Sequence, residues 1–453
     1  MDDVFVGVNR ETRKPVKLPR PAMRNGHTLG VGMTSGGKTT LFAIPLAKQL
    51  MLPNELGEDE ALVFFDLKGD RANWWHLHHA ARALGKRCHL VSRKAGVESD
   101  CLDALQSNGM PLDPTQMASL MLEGCGINRG TGYGESWFAD NVSLLALTAA
   151  RDMRRDRVPE TIVTASEYLR ERLGSFRAAE HIAYAMGILT AFETIATVGP
   201  PDRQVRWQDV IEEGRVVYVH APTLSQIQAA KAVNMLLQSL TLYMENRADA
   251  GLPRRHVHAI IDESHFVMNK QTAAKLALAR DYGMSLHLLT QTLDQLNDED
   301  DTVAGTILNS VQYALFFTGY GRAEKDFLQA HSVEVPRWLS SKNYGPDLRM
   351  TLGDKQILDY KLGHNDILAS ASTFGCALLV KRDQRGSCEP VPVYMEHTVP
   401  LSLHKRFQAT PLPRVRDDAP GEPVRAFGWR HAERDEIKVQ AIRNTFERIR
   451  AQG

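Results

Sequence analysis

The sequence predicts an α/β protein with a central, mainly parallel β-sheet. Apolar runs of strand length alternate with helical segments from His27 to Val91, and the alternation resumes at Arg215. The first apolar run, His27 to Val31, leads into a glycine-rich loop that opens a helix. Between the two alternating regions only helical periodicity is found, which indicates a helical insertion in the α/β core.

This pattern divides the chain into four segments. They are a first part of the core (residues 1–110), an inserted all-α domain (111–199), a second part of the core (200–400), and a linker with a C-terminal amphipathic helix (401–453). Residues 1–25 are expected to form edge strands and loops. A proline-rich stretch from Pro411 to Pro423 precedes the final helix, Ala432 to Arg450, which either binds a partner or packs on the core.

Composition narrows the class of protein. With 43% hydrophobic and 24% charged residues among 453, the chain can bury a large core, which excludes disorder of the whole chain. Basic and acidic residues balance at 54 each, so any contact with nucleic acid has to be local. The five cysteines form no C-x-x-C pair, which argues against a zinc site or a disulfide framework. No apolar stretch approaches the ~20 residues of a membrane-spanning helix.

A phosphate-binding loop is the most specific motif. The pattern G-x-x-x-x-G-K-[ST] is matched by the run Gly32-Met33-Thr34-Ser35-Gly36-Gly37-Lys38-Thr39. Its backbone N–H groups are expected to surround the β-phosphate of ATP, with the positive end of the next helix behind them. Lys38 is predicted to contact the β- and γ-phosphates, Thr39 to bind Mg²⁺, and Thr40 to complete the nucleotide-binding set. The flanking strand and helix disfavour a chance match.

Polar residues follow two further apolar runs. After His258 to Ile261, Asp262 is expected to hold Mg²⁺ through water and Glu263 to act as general base on the attacking water. Helix N-capping is the alternative role for such acidic residues, and the phosphate-binding loop makes it less favoured. After Ser285 to Thr290, Gln291 is predicted to sense the γ-phosphate, with an ordinary polar strand end as the alternative.

Arg280 lies just before that last strand, in the run Ala-Arg-Asp-Tyr-Gly. A guanidinium there can serve as an arginine finger that stabilises the transition state at the nucleotide of a neighbouring subunit. A solvated cation at a helix end is the alternative interpretation. The sequence does not decide between the two.

Taken together, these motifs resemble the coupling proteins of type IV secretion and conjugation, the TraD/TraG-like group, which are relatives of the septal DNA translocases. The resemblance runs from about Gly26 to Val380. Its most specific piece is similar to the family's Asp-x-Lys-Gly-acidic turn and is the run Phe65-Asp66-Leu67-Lys68-Gly69-Asp70. Trp137 resembles a family tryptophan, and the family-like spacing extends to Asp262, Glu263, Arg280 and Gln291.

The resemblance implies a RecA-like motor with an all-α domain at one mouth of a homo-hexameric ring, which passes single- or double-stranded DNA through its centre using ATP and Mg²⁺. The implied partners are DNA, a relaxase or relaxosome or secreted protein cargo, and a secretion-channel or membrane-anchor protein. Family members usually begin with two transmembrane helices, which this sequence lacks. We therefore expect a cytoplasmic protein that is monomeric in solution or ring-forming, and that reaches the inner membrane, if at all, through a partner.

Three functions follow from this resemblance. The leading one is an ATP-driven coupling protein that delivers relaxase-bound DNA to a type IV secretion or conjugation channel. The alternatives are a HerA/FtsK-like DNA translocase outside secretion and a nucleotide-switched receptor or adaptor for secreted protein. DNA contacts are sought among lysines that are otherwise ordinary surface cations, namely Lys68, Lys270 and Lys275. A helix surface rather than a metal site is expected for His76, His78 and His79.

Overall fold

The computed structural model describes residues 3–414 except 93, 95, 126–132, 173–181, 184–185, 188–202, 224–228, 298–301, 345–349, 362, 364–366, 368–369, 371, 384–385, 388 and 396–398. The predicted helices Ala178 to Thr197 and Ala432 to Arg450 therefore lie outside the described residues or almost entirely so, as does most of the linker from Pro411 to Pro423. Within the described part of the chain, no helix combines the length and the apolar character needed to cross a membrane.

The described strands are β1 (Val4–Asn9), β2 (Pro15–Leu18), β3 (His27–Val31), β4 (Ala61–Asp66), β5 (Cys88–Ser92), β6 (Val216–His220), β7 (Val257–Asp262), β8 (Met284–Thr290), β9 (Val311–Phe316), β10 (Glu334–Tyr344), β11 (Met350–Tyr360), β12 (Cys376–Asp383), β13 (Gly386–Ser387) and β14 (Val391–Tyr394). All but β10 and β11 form one sheet, in the order β2-β1-β14-β12-β9-β3-β8-β7-β4-β6-β5, with β13 beside β12. The run from β9 to β5 is parallel, and the strands from β2 to β12 add antiparallel pairs at one side. The predicted mainly parallel sheet is confirmed.

Strand register fixes which side chains meet at the ends of the strands. In the parallel pair of β4 and β7, Asp66 lies opposite Asp262, and in the pair of β3 and β8, Val31 lies opposite Thr290. These strands are buried along their whole length, which explains why they appear in the sequence as continuous apolar runs rather than as alternating ones. The loops that follow them share one edge of the sheet, called the carboxyl edge here.

The described α-helices are α1 (Arg20–Arg24), α2 (Ile44–Leu50), α3 (Arg71–Ala83), α4 (Pro114–Cys125), α5 (Tyr133–Arg155), α6 (Ile162–Arg172), α7 (Trp207–Glu212), α8 (Ala229–Asp249), α9 (Lys270–Asp281), α10 (Leu293–Leu296), α11 (Val303–Ser310), α12 (Arg322–Ala330) and α13 (Leu401–Ala409). A π-helical turn, Lys38–Ala43, leads into α2, where the sequence predicts a regular helix from Thr39. Such wide turns are uncommon and occur mostly at functional sites.

The helices α4, α5 and α6 fall within the predicted insertion. Their residues Met117, Val142 and Ile162 belong to the same buried cluster as Val63 of β4. The described part of the insertion is thus helical as predicted, and its apolar side is continuous with one face of the sheet. The division into four domains stays a prediction. The side chain of Trp137 lies outside the described residues.

The histidine-rich helix α3 is covered by α13. The ring of His76 stacks on His404 with centroids 5.4 Å apart, and that of His79 stacks on Phe407 at 5.2 Å. Trp75 adds a hydrogen bond from Nε1 to the Thr410 carbonyl oxygen at 3.3 Å. The expected exposed helix surface is therefore wrong for His76, which is buried. No metal-binding group of His, Cys, Asp or Glu occurs among the residues that the structure describes.

A buried polar chain ties the opposite, amino edge of the parallel strands together. The Arg20 guanidinium donates to Glu60 Oε2 at 2.8 Å, and that oxygen is 3.1 Å from His258 Nε2. His258 Nδ1 is 3.0 Å from His287 Nε2, and His287 Nδ1 is 2.9 Å from Thr28 Oγ1. Burial lowers the pKa of His258 and lowers that of His287 well below its usual value. Both rings are thus neutral links between β3, β7 and β8.

Acidification is predicted to destabilise the protein through this chain. An imidazole released by unfolding takes up a proton near pH 6.5, whereas His258 and His287 resist protonation while folded. Their contribution is complete above that pH and is lost as the pH falls below it, by about 1 kcal/mol for each ring and pH unit. Thermal unfolding midpoints measured from pH 8 to pH 5.5 should be level at first and then decline. A midpoint that rises on acidification would contradict this account.

Candidate nucleotide site

The glycine-rich loop is anchored to the ends of the strands beside it. Gly32 N donates to the carbonyl oxygen of Thr290 at 3.2 Å, at the end of β8. Met33 N donates to the carbonyl oxygen of Thr318 at 3.1 Å, just after β9. These bonds continue the parallel ladder past β3, so the loop leaves the sheet in a fixed direction. Gly36 N donates within the loop to the carbonyl oxygen of Met33 at 3.0 Å, and the loop then opens into the π-helical turn, so that it lies at a helix start, where phosphates bind.

Lys38 folds back across the loop that precedes it. Its Nζ donates to the carbonyl oxygens of Gly32 and, at 3.2 Å, of Met33. Burial lowers the pKa of Lys38, while the carboxylates of Glu263 and Asp262 raise it. The Lys38 ammonium group therefore lies inside the loop, close to Asp262 at the end of β7 and to Glu263 after it. A bound phosphate would replace the two carbonyl oxygens as its acceptor.

Thr39 and Asp262 form the second part of the site. Thr39 Oγ1 donates to Asp262 Oδ2 at 3.1 Å. Asp262 Oδ1 is buried and has no hydrogen-bond partner among the described residues. Burial, together with the nearby Asp66 and Glu263 carboxylates, raises the pKa of Asp262 to about 7. A hydroxyl beside an unpaired carboxylate oxygen is a donor set that fits Mg²⁺ and its water shell.

Glu263 holds an unusual backbone conformation. Its φ of 59° and ψ of 51° lie in the left-handed region, which a residue with a side chain adopts at a cost of about 1 kcal/mol. This conformation directs the carboxylate along the carboxyl edge, where Gln291 Nε2 donates to Glu263 Oε2 at 3.1 Å. The structure thus places the predicted base and the predicted γ-phosphate sensor in contact.

A cleft of about 160 Å³ lies beside these residues, and Asp262 and Gln291 are each hydrogen-bonded to a residue of its lining. The phosphate-binding loop and Glu263 line one side of it. The other side is lined by residues from the turn between β4 and α3 and from α13, namely Lys68, Asp70, Asn73, His404 and Gln408. The sequence marked the turn only as a family feature. It gave no signal for α13, because a short helix that docks on a distant element has no motif of its own.

The structure does not bring Arg280 to this cleft. Arg280 lies at the end of α9, before β8 begins, with Nε 3.7 Å from Asp281 Oδ1. Its charge lowers the pKa of His27 at the start of β3, after the larger effect of burial. The seven residues of β8 separate it from Gln291 by about 20 Å. Within one chain, Arg280 therefore cannot reach the nucleotide, and its finger role stays a prediction about assembly.

The lysines considered for DNA binding lie in three different settings. Lys68 lines the cleft, which places it beside a nucleotide rather than DNA. Lys275 is half-buried and donates to Gln238 Oε1 at 2.7 Å. Lys270 is exposed at the start of α9. Lys68 and Lys270 are both exposed, and of these two only Lys270 lies away from the cleft.

Comparison with known proteins agrees with this geometry. Residues 203–325 match the model of the family described as type IV secretory system conjugative DNA transfer. The matched span contains the acidic pair after β7, Arg280 and Gln291. No curated protein matches the chain.

Solved structures extend the likeness to most of the chain. The bacterial conjugative coupling protein TrwBdeltaN70 in complex with sulphate superposes with a TM-score of 0.56 at 16% identity, over 86% of this chain and 89% of that one. TrwB in complex with ADP and Mg²⁺ gives 0.55 at 15%, over 87% and 94%. The resemblance to the conjugative coupling proteins is confirmed. VirB4 of Thermoanaerobacter pseudethanolicus gives 0.53 at 13%, over 87% and 96%, and with the coupling proteins it establishes the RecA-like fold.

The glycine-rich loop provides a test of its own geometry. Gly37 has a φ of 91°, and a Cβ there would lie 2.5 Å from Leu41 Cδ1. Gly57 has a φ of 76° but no atom within 4 Å of its Cβ position. Gly37→Ala and Gly57→Ala share the left-handed penalty of about 1 kcal/mol, and only Gly37→Ala adds a clash. We predict a lower thermal unfolding midpoint for Gly37→Ala, and equal midpoints would contradict the described loop.

Proposed function

We propose that this protein is an ATP-hydrolysing coupling protein that recruits relaxase-bound DNA and moves it toward a type IV secretion or conjugation channel. One observation carries the proposal: the phosphate-binding loop, the Thr39–Asp262 pair and the Glu263–Gln291 pair converge on one cleft. The match of residues 203–325 to conjugative DNA transfer supports DNA as the substrate that is moved. Related structures with an ATP analogue and with ADP and Mg²⁺ support the nucleotide.

The chain supplies the binding part of the reaction through its loop. Backbone N–H groups between Thr34 and Thr40 surround the phosphates, and the ammonium of Lys38 contacts the β- and γ-phosphates. Thr39 and, through water, Asp262 would hold Mg²⁺, which would supply positive charge next to the phosphate oxygens. The wide π-helical turn after the loop gives the Thr39 hydroxyl its position against Asp262.

The chain supplies the hydrolytic part through Glu263. Its carboxylate accepts a proton from the water that attacks the γ-phosphorus, so that ATP and water give ADP and inorganic phosphate. Gln291 donates to the same carboxylate, which fixes its orientation before the water arrives. When the γ-phosphate leaves, the amide of Gln291 loses a contact and shifts. Gln291 directly follows β8, so this shift is passed through β8 to the rest of the sheet and drives the movement of DNA.

Assembly completes the proposed machine. We assign the active form as a homo-hexamer in which Arg280 of each subunit serves the nucleotide of the next, because Arg280 is remote from its own cleft. DNA passes through the ring, and a relaxase or protein cargo and a channel or membrane-anchor protein are the further partners. We place the protein in the cytoplasm, where ATP is supplied, with any contact to the inner membrane made through a partner.

Two substitutions separate binding from hydrolysis. Lys38→Ala removes the phosphate contact and should lower both ATP affinity and turnover, by about a hundredfold or more in kcat/KM. Glu263→Gln removes the base and should keep ATP bound while kcat falls by about a hundredfold or more. Glu58→Gln, in an exposed loop, is the matched control. Steady-state hydrolysis and nucleotide binding measure both effects, and normal turnover in either site variant would remove the assignment.

The trans role of Arg280 is tested by mixing two inactive proteins. Arg280→Ala subunits keep an intact phosphate-binding loop, and Lys38→Ala subunits keep an intact arginine. Each variant alone should be inactive. In mixed rings, activity should return at those interfaces where an intact phosphate-binding loop meets an intact arginine. Arg155→Ala, at an exposed arginine of α5, should behave as wild type. If the mixture shows no recovery although mixed oligomers form, Arg280 has no finger role.

A further inference from the structure

The turn from Asp66 to Asp70 is held by the carboxylate of Asp66, which has no part in the proposed hydrolysis. Asp66 is fully buried, and its Oδ1 accepts from Lys68 N at 3.0 Å and Gly69 N at 2.6 Å. Its Oδ2 accepts from Asn73 Nδ2 at 3.1 Å and from the Tyr218 hydroxyl. One carboxylate thus binds four donors from the turn, α3 and β6. Such a buried network fixes the backbone of the turn.

The neighbouring strand locks the same turn from the other side. Gly69 has a φ of 78°, and a Cβ there would lie 2.6 Å from Pro222 Cβ, so only glycine fits without a shift. Thr223 N donates to the Leu67 carbonyl oxygen at 2.9 Å. The backbone of Lys68 is therefore held between two rigid contacts. Its side chain is nonetheless exposed and lines the nucleotide cleft.

The lining of the cleft brings Lys68 together with the groups of the proposed nucleotide site. Lys68 lines the same cleft as Lys38 of the phosphate-binding loop, Glu263 after β7 and His404 of α13. Because β4 pairs with β7 so that Asp66 lies opposite Asp262, Lys68 extends beyond the sheet next to the magnesium-binding carboxylate. That is the side on which the terminal phosphate has to lie.

Two lysines that face one small cleft repel each other unless an anion lies between them. The triphosphate of ATP is such an anion, and Asp262 and Glu263 add further negative charge next to its terminal group. Lys38 and Mg²⁺ together carry less positive charge than the negative charge of the triphosphate and the two carboxylates. A second ammonium aimed at the terminal phosphate offsets it in a partly desolvated site, where such contacts are strong.

We propose that Lys68 is a second phosphate-binding lysine, whose ammonium contacts the terminal phosphate of bound ATP, and that Asp66 positions it. The inference rests on the proposed nucleotide site. With this role, the Asp-x-Lys-Gly-acidic turn distinguishes bound ATP from bound ADP. This role also removes Lys68 from the residues available to DNA.

The test compares affinities for a non-hydrolysable ATP analogue and for ADP, both with Mg²⁺, by titration calorimetry. Lys68→Ala should weaken the analogue by about tenfold or more and ADP by less than about threefold, because only the analogue carries the terminal group. Lys68→Arg should recover part of the loss. Lys405→Ala, at an exposed lysine of α13, should change neither affinity.

The role of Asp66 is tested through one of its donors. Tyr218→Phe removes a hydrogen bond to Asp66 without touching the cleft, and should give a smaller loss of the same selective kind. A uniform loss for both nucleotides would show a merely structural effect. Thermal unfolding confirms that each variant is folded.

The possible results distinguish a wrong Lys68 assignment from a wrong proposed function. Equal losses for the analogue and ADP in Lys68→Ala, or no loss at all, would overturn the lysine assignment while wild-type binding keeps the proposed function. Unchanged nucleotide affinity with loss of DNA stimulation would make Lys68 a DNA contact and overturn it too. If the wild-type protein binds neither nucleotide, the proposed function itself fails and the inference with it.

Discussion

Parallel pairing of β3, β8, β7 and β4 determines where most side chains of the cleft lie. The loop after β3, the turn after β4, the acidic pair after β7 and Gln291 after β8 all leave the same edge because their strands run in one direction and in register. A slip of one residue would turn alternate side chains to the other face and separate Asp66 from Asp262. The chemistry of the cleft therefore depends on backbone hydrogen bonds far from any phosphate.

The two edges of this sheet are built differently. At the amino edge, charged and polar groups pair with one another: Arg20 with Glu60, and Glu60 with His258. At the carboxyl edge, groups are left strained or incompletely paired, as in the left-handed backbone of Glu263 and the unpartnered Oδ1 of Asp262. Departures of this kind, set in a well-paired framework, are expected where a ligand supplies the missing partners. The framework tolerates them because the strands beneath are fully buried.

The sequence was sufficient for those parts of the structure that depend on local signals. Continuous apolar runs predicted the parallel strands, and the glycine pattern predicted the loop from Gly32 to Thr39. The hairpin of β10 and β11, the strand β14 and the helix α13 were not predicted, because their sequences carry no motif of their own. The histidines of α3 show the same limit, since their burial depends on α13, which is more than 300 residues away in the chain. The proposed finger role of Arg280 requires a neighbouring subunit.

ATP hydrolysis measured with and without DNA decides whether this protein is an ATP-driven DNA motor. Purified protein is assayed at low salt, alone and with single-stranded or double-stranded DNA, while its oligomeric state is followed by light scattering. We predict that at least one form of DNA strongly stimulates ATP hydrolysis as the ring assembles, because Arg280 reaches a nucleotide only between subunits. Hydrolysis that is indifferent to DNA, or that requires a protein partner instead, would contradict a DNA motor and favour a nucleotide-switched receptor for secreted protein.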